Sequence, residues 1–354
     1  MKRILSTSRP IITCYPDLAN MLSILNCEKL ADDWLSTNFI QLVYRRNGNT
    51  SYGSFLDFMR MGNDISVYEH CPYLYVNHID KGFIRELFPS IFEFIGYCLN
   101  KEIYLQMYTN KRYLPQKRML TYDFMHETFI YGISTDDKIV YIADFYDGKY
   151  TQLKCDYSKF EQAYINSFTD NAYYKSDIYL KTNLAKYNMD KVILLKYNRH
   201  NMYRISSDII KEKINDYIEG KDSFKRIVES YIASGYEFFY GIKFYDQLIW
   251  DIKEGNFDSR KPYVLLSHKI MLEYNMKTML KNNMLSQQAY LELDLQIKEL
   301  IEINTKLQNK YILLSMRSKI KRDDKVALID NYKYLKEKDS EFMFELLKAI
   351  NRLD

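Results

Sequence analysis

Residues 126–144 read HETFIYGISTDDKIVYIAD, and this stretch decides the fold. HETFIYGI (126–133) and IVYIAD (139–144) are rich in β-branched and aromatic residues, and STDDK (134–138) between them is a turn string. The spacing predicts an antiparallel hairpin, with His126 opening the first strand and Asp144 closing the second. The two side chains share a sheet face if the loop holds an odd number of residues, which a five-residue turn supplies. A carboxylate beside an imidazole fixes its tautomer and orientation, as the third member of a catalytic triad does. The same residues also fit a strand histidine bonded to a backbone carbonyl and a turn-forming Asp144 ahead of Asp147-Gly148.

Upstream, Cys14 precedes PDLANMLSILNCEKLADDWL, in which Leu18, Leu22, Leu25 and Leu30 recur at helical spacing. Pro16 suits a first helical turn and Asp17 favours its positive end. Cys14 is therefore expected just before a helix N-terminus, where free N–H groups favour a thiolate and can stabilise an oxyanion. Its alternative is a small core hydrophobe. Cys27 and Cys98, within helical patterns, are expected in the core.

Further elements follow the same logic. Phe39–Tyr44 reads as a strand, RNGNTSYG as a turn, Lys81–Leu99 as a helix, and Ile103–Tyr108 and Val192–Asn198 as strands. Past residue 200 the pattern is helical, near Ser207–Glu219, Ser223–Ala233 and Tyr240–Glu254. In the last ninety residues Leu293, Ile297, Leu300, Ile301, Ile303 and Leu307, then Phe342, Leu346 and Ile350, mark a helical hairpin or bundle. That stripe fits internal packing or a homodimer surface. The fold expected is α+β: residues 1–200 as a helix packed on an antiparallel sheet, and residues 201–354 as a helical C-terminal region.

Composition narrows the function classes. The 354 residues include 50 basic and 46 acidic side chains, a balance without the basic footprint of nucleic-acid binding. The 34 tyrosines are read as compositional bias. Five cysteines without a CxxC pair speak against a disulfide framework or structural zinc. His70, Cys71 and His78 lack ligand spacing, so no metal is expected, and His200 and His268 are read as structural or surface. No GxGxxG or Walker loop is present. The start, MKRILSTSRPIITC, lacks an apolar signal core, and no run of apolar residues is long enough to span a bilayer. A cytoplasmic protein without membrane contact is expected.

The strings CYPDLANMLSIL, HETFIYGI and VYIADFYDG together resemble the papain-like fold, in particular its bacteriocin-leader-peptidase-like branch. Within it they resemble the N-terminal domain of the butirosin-type carrier-protein acyltransferases and the amide-forming papain-like enzyme of closthioamide biosynthesis. The resemblance covers about the first 200 residues. It implies a Cys14–His126–Asp144 triad that takes an acyl group from a carrier-protein thioester and passes it to an amine in natural-product assembly. An acyl or peptidyl carrier protein and an amine acceptor would be the partners. No cofactor is implied beyond phosphopantetheine on the donor. Papain-type enzymes carry a glutamine about six residues before the nucleophile; here that position is Ser8, leaving Ser8, Thr13 or backbone N–H as oxyanion donors. Lys111, Arg112, Lys117 and Arg118, with Tyr113, are candidates to contact the carrier or its phosphopantetheine arm, or form a solvated loop. A cysteine peptidase trimming a leader peptide, and a non-catalytic papain-like scaffold, are the alternatives.

Overall fold

The hairpin expected from residues 126–144 forms, as the centre of a larger antiparallel sheet. The structure, a computed structural model, describes residues 1–47, 50–59, 67–115, 120–168, 189–224, 236–317 and 320–351. In chain order the strands are β1 (Lys2–Ile4), β2 (Leu42–Asn47), β3 (Thr50–Phe58), β4 (Leu74–Asp80), β5 (Ile103–Asn110), β6 (Met125–Ser134), β7 (Ile139–Tyr146), β8 (Lys149–Asp156), β9 (Lys191–Tyr197) and β10 (Tyr236–Tyr240). The helices are α1 (Pro16–Leu25), α2 (Asp32–Asn38), α3 (Val67–His70), α4 (Lys81–Leu87), α5 (Ile91–Asn100), α6 (Tyr157–Ile165), α7 (Ser207–Glu219), α8 (Phe244–Glu254), α9 (Arg260–Lys281), α10 (Gln287–Ser315) and α11 (Arg322–Asn351). The protein is α+β, with antiparallel sheets and a helical C-terminal region.

The chain divides into two compact units, Met1–Lys29 with Ser66–Asn201, and Leu30–Ile65 with Met202–Asp354. Residues 30–65, early in the chain, belong to the second unit. Their hairpin, β2–β3, pairs with β10 instead of with the larger sheet. Backbone hydrogen bonding to a strand almost two hundred residues away is invisible to local pattern.

In the first unit the sheet runs β4-β9-β5-β6-β7-β8, with β1 pairing β6 beyond the end of β5. Gly132 makes that approach possible. A Cβ there would lie 3.0 Å from Ile4 Cγ1, 3.1 Å from Tyr141 Cβ and 3.2 Å from the Arg3 carbonyl oxygen. Three strands of this sheet escaped the sequence reading altogether, β1, β4 and β8. For β8 the signal was present: Asp147 and Gly148 both take positive φ (52° and 74°), the conformation a two-residue hairpin turn demands. The expected helix 81–99 is two helices, because Pro89 interrupts it and the Ser90 hydroxyl caps a new start by accepting from the Glu93 N–H.

Helix α1 begins as expected, with Pro16 in its first turn and Asp17 beside it, and packs against β6 and β7. Residues 18–25 are all buried, so this is a core helix and not a one-sided amphipathic one. A buried polar network fixes it to the sheet. Asn20 Nδ2 donates to Gln106 Oε1 on β5 (2.6 Å), and Tyr150 on β8 donates to Asn20 Oδ1 (2.7 Å). The Tyr68 hydroxyl donates to the same Gln106 oxygen. Cys27, expected in the core, is exposed: the helix stops at Asn26, and the thiol donates to the Ser23 carbonyl at 3.4 Å. Cys98 and Cys71 are buried, and no cysteine forms a disulfide.

In the second unit, α9, α10 and α11 pack side by side, and the expected stripe supplies the contact: Leu293, Ile297, Leu300, Leu307, Phe342, Leu346 and Ile350 are buried. Ion pairs lie within this core. Lys269 meets Asp339 at 2.6 Å, where Tyr217 and Tyr245 also donate, and Lys261 meets Asp251 at 2.7 Å beside Tyr44 and Ser54. His268 is structural, its Nε2 bonded to the Ile40 carbonyl at 2.7 Å, whereas His200 is exposed. Most of the helix expected at 223–233 falls outside the described residues. Among the described residues no helix is long and apolar enough to cross a membrane.

Candidate active site

His126 and Asp144 do meet, but by a route the turn length did not supply. Ser134 pairs with Ile139, so the loop has four residues, 135–138, and not five. An even loop alone would place Asp144 opposite Phe129 and send His126 to the other face. A bulge at Tyr131 restores the parity: the register shifts between Ile130 and Gly132, Phe129 faces Ala143, and Thr128 therefore faces Asp144. His126 and Asp144 become diagonal neighbours on one face, with Nδ1 3.7 Å from Oδ1. That separation is an ion-pair distance and too long for a hydrogen bond.

Two residues crowd the pair. Lys111, in the 3-10 turn Lys111–Tyr113 that follows β5, places its Nζ 2.7 Å from Asp144 Oδ1. Both side chains are almost fully buried, 5% and 4% exposed. The Phe145 N–H donates to the same oxygen at 2.6 Å, while Oδ2 is buried without a hydrogen-bond partner among the described residues. Burial pushes the Asp144 carboxyl above its usual range, and the Lys111 and His126 charges pull it back. The second neighbour is Glu127: its carbonyl lies 3.3 Å from His126 Nδ1 and its Oε2 lies 3.5 Å away. Tyr108 donates to Glu127 Oε1 at 2.6 Å. His126 and Glu127 are each 24% exposed.

Which way the imidazole faces follows from the pleat. Gln106, Phe129, Ala143 and Gln152 form one transverse row, and Asn20 bonds Gln106 while Gln152 donates to Thr7 at 2.6 Å. That face carries α1. His126 and Asp144 sit an odd number of positions from the row, so alternation starts their side chains toward the opposite face. Glu127 has the parity of the α1 face, and it acts with Asp17 on the buried Tyr68 hydroxyl. The His126 ring, one residue into β6, thus stands at the strand's end with Asp144 on one side and Glu127 on the other.

Helix α1 points its N-terminus toward that end. Its C-terminal portion lies by Tyr104, whose hydroxyl donates to the Ser6 carbonyl and senses Cys27, and Asn20 lies by Gln106. Pro16 is four residues earlier, about 6 Å along the axis, which is about two strand positions. Cys14, half-buried, lies two residues before the helix start.

The remaining candidates separate. Ser8 is tied to the far end of α1, its N–H donating to the Ser23 carbonyl at 2.9 Å and its hydroxyl to the same oxygen at 3.3 Å. It therefore does not stand at the helix start as an oxyanion donor. Thr13 is half-buried in the segment entering α1. Lys111 is a buried partner of Asp144 and not a surface contact, since the 3-10 turn directs it inward. Arg112 is exposed, with its guanidinium 3.5 Å from Asp123, and Tyr113 is half-buried. Lys117 and Arg118 lie outside the described residues. His78 pairs with Glu69 at 2.9 Å. Glu127 and Lys111 are the site residues whose roles the sequence reading missed.

No protein-family model matches the chain, and the search of curated proteins found no match.

Proposed function

We propose that this protein is a papain-like, cysteine-dependent acyltransferase that moves an acyl group from a thioester to an amine, with Cys14 as nucleophile and His126 as base. The observation that carries the proposal is an imidazole at the end of β6 with two carboxylates within 4 Å of its Nδ1; alternation starts the side chain toward the face opposite α1, so reaching Cys14 requires the ring to turn past the strand's end. In this mechanism the Cys14 thiolate attacks the thioester carbonyl and expels the donor thiolate, which the His126 imidazolium protonates. N–H groups at the α1 start stabilise the oxyanion. The amine then attacks the acyl-enzyme, His126 takes its proton, and the Cys14 thiolate leaves. Thioester exchange is nearly isoenergetic, and amide formation makes the second half downhill. A carrier-borne donor suits the exposed Arg112 near the site, through attraction to an acidic carrier helix.

Intact-protein mass spectrometry with an acyl-thioester donor tests the assignment. The wild-type chain gains one acyl mass, a primary amine discharges it, and Cys14→Ala gains none. An adduct that persists in Cys14→Ala removes Cys14 from the mechanism. One observation favours a second reading, a non-catalytic scaffold: Lys111 holds the Asp144 oxygen nearest His126. Under that reading the alkylation of Cys14 follows an ordinary thiol pH profile.

A further inference from the structure

We infer that Glu127, rather than Asp144, is the carboxylate that positions His126, with Tyr108 as its anchor. The Asp144 oxygen nearest the imidazole, at 3.7 Å, already accepts from Lys111 at 2.7 Å and from the Phe145 N–H at 2.6 Å. Its negative charge is matched by a cation at contact distance, which offsets part of its field at His126. Glu127 differs on each count. Its Oε2 is closer to Nδ1, at 3.5 Å, and its Oε1 is held at 2.6 Å by the Tyr108 hydroxyl, a neutral donor that leaves the charge in place. The Glu127 carbonyl, 3.3 Å from Nδ1, favours the same ring orientation and a proton on Nδ1. Nε2 is then the atom free to accept a proton.

The groups facing the ring come from four directions. Lys111 reaches in from the 3-10 turn, Asp144 from β7 and Glu127 from β6, with Tyr108 on β5 behind Glu127. On the α1 side Asp17 shares with Glu127 the influence on Tyr68. Of the two carboxylates within 4 Å of the ring, Asp144 is in contact with the Lys111 ammonium and Glu127 with the neutral Tyr108 hydroxyl. Glu127 is a positioning residue in this account: it acts on substrate only through His126.

The inference rests on the acyl-transfer reading for its catalytic consequence, but its test needs no substrate. Nitrogen-15 NMR of the full chain with labelled histidine, with the His126 signals assigned by their loss in His126→Asn, reads both tautomer and titration. The wild type is expected to carry its neutral-state proton on Nδ1. Glu127→Gln weakens that tautomer preference. Tyr108→Phe, a milder change should Glu127→Gln fail to fold, shifts it in the same direction by less. The double variant Lys111→Met/Asp144→Asn removes the neutral pair as a unit and shifts it by less than Glu127→Gln does. The inference is overturned if the double variant shifts His126 more than Glu127→Gln, or if neither Glu127→Gln nor Tyr108→Phe moves it. A Glu127-dependent His126 tautomer without a Cys14 adduct would sink the acyltransferase reading alone.

Discussion

Replacing Lys111 by methionine isolates the most deeply buried charge in the candidate site. At 2.7 Å the Lys111–Asp144 attraction is gross about 6 kcal/mol at an effective dielectric of about 20. Lys111→Met keeps the stem's volume but leaves a carboxylate, 4% exposed, with one N–H donor on Oδ1 and none on Oδ2. Orphaning one partner of a buried pair costs about 3–5 kcal/mol. The loss is pH-dependent, with a definite sign. Without Lys111 the folded-state pKa of Asp144 rises further above its unfolded value, so the folded state binds a proton more readily than the unfolded one. Stability then falls as pH rises and recovers as pH drops through the raised folded pKa. Urea unfolding followed by circular dichroism, at mildly acidic and at neutral pH, reads both effects. Lys111→Met/Asp144→Asn is expected to regain most of the loss and to lose the pH slope. A Lys111→Met variant within about 1 kcal/mol of wild type at neutral pH, below the range for such pairs, would refute the reasoning.

Two further perturbations follow from the same unit. Gly132→Ala forces a Cβ to within 3.0–3.2 Å of Ile4, Tyr141 and the Arg3 carbonyl; a loss of about 1–3 kcal/mol, with faster amide exchange in β1 than in β5, is expected in urea and hydrogen-exchange measurements. Lys81 is buried, donating to the Tyr108 carbonyl at 2.8 Å and the Ser167 hydroxyl at 2.7 Å, and burial lowers its pKa to about 7. Between that value and its ordinary 10.5 the unfolded chain holds a proton the folded chain lacks, so wild-type stability climbs with pH across the window. Lys81→Met should flatten that climb in urea midpoints measured from neutral to alkaline pH.

The sequence carried the parts of the site that local pattern encodes. β-branched and aromatic runs marked the hairpin, Pro16-Asp17 marked the start of α1, and the period of Leu293, Ile297 and Leu300 marked the terminal helices. What it hid depends on distance or on parity. Lys111 sits in NKRYLPQKR, a string that reads as solvated, and only the fold brings it to a carboxylate 33 positions away. Glu127 follows His126 directly, and alternation sends such neighbours to opposite faces along a strand but not at its first residues, where two neighbouring side chains can converge past the end. The β7–β8 hairpin was legible in Asp147-Gly148, and the signal was spent on a turn without its second strand.

The extra residue at Tyr131 turns the meeting of His126 and Asp144 into a matter of odd and even numbers. Shortening or lengthening the hairpin by one would part them abruptly, whichever residue is lost, and a second such change elsewhere in the hairpin would reunite them. Substitution libraries across 128–143 therefore probe packing alone. Length variants in steps of one and two would probe the site, failing and recovering in alternation.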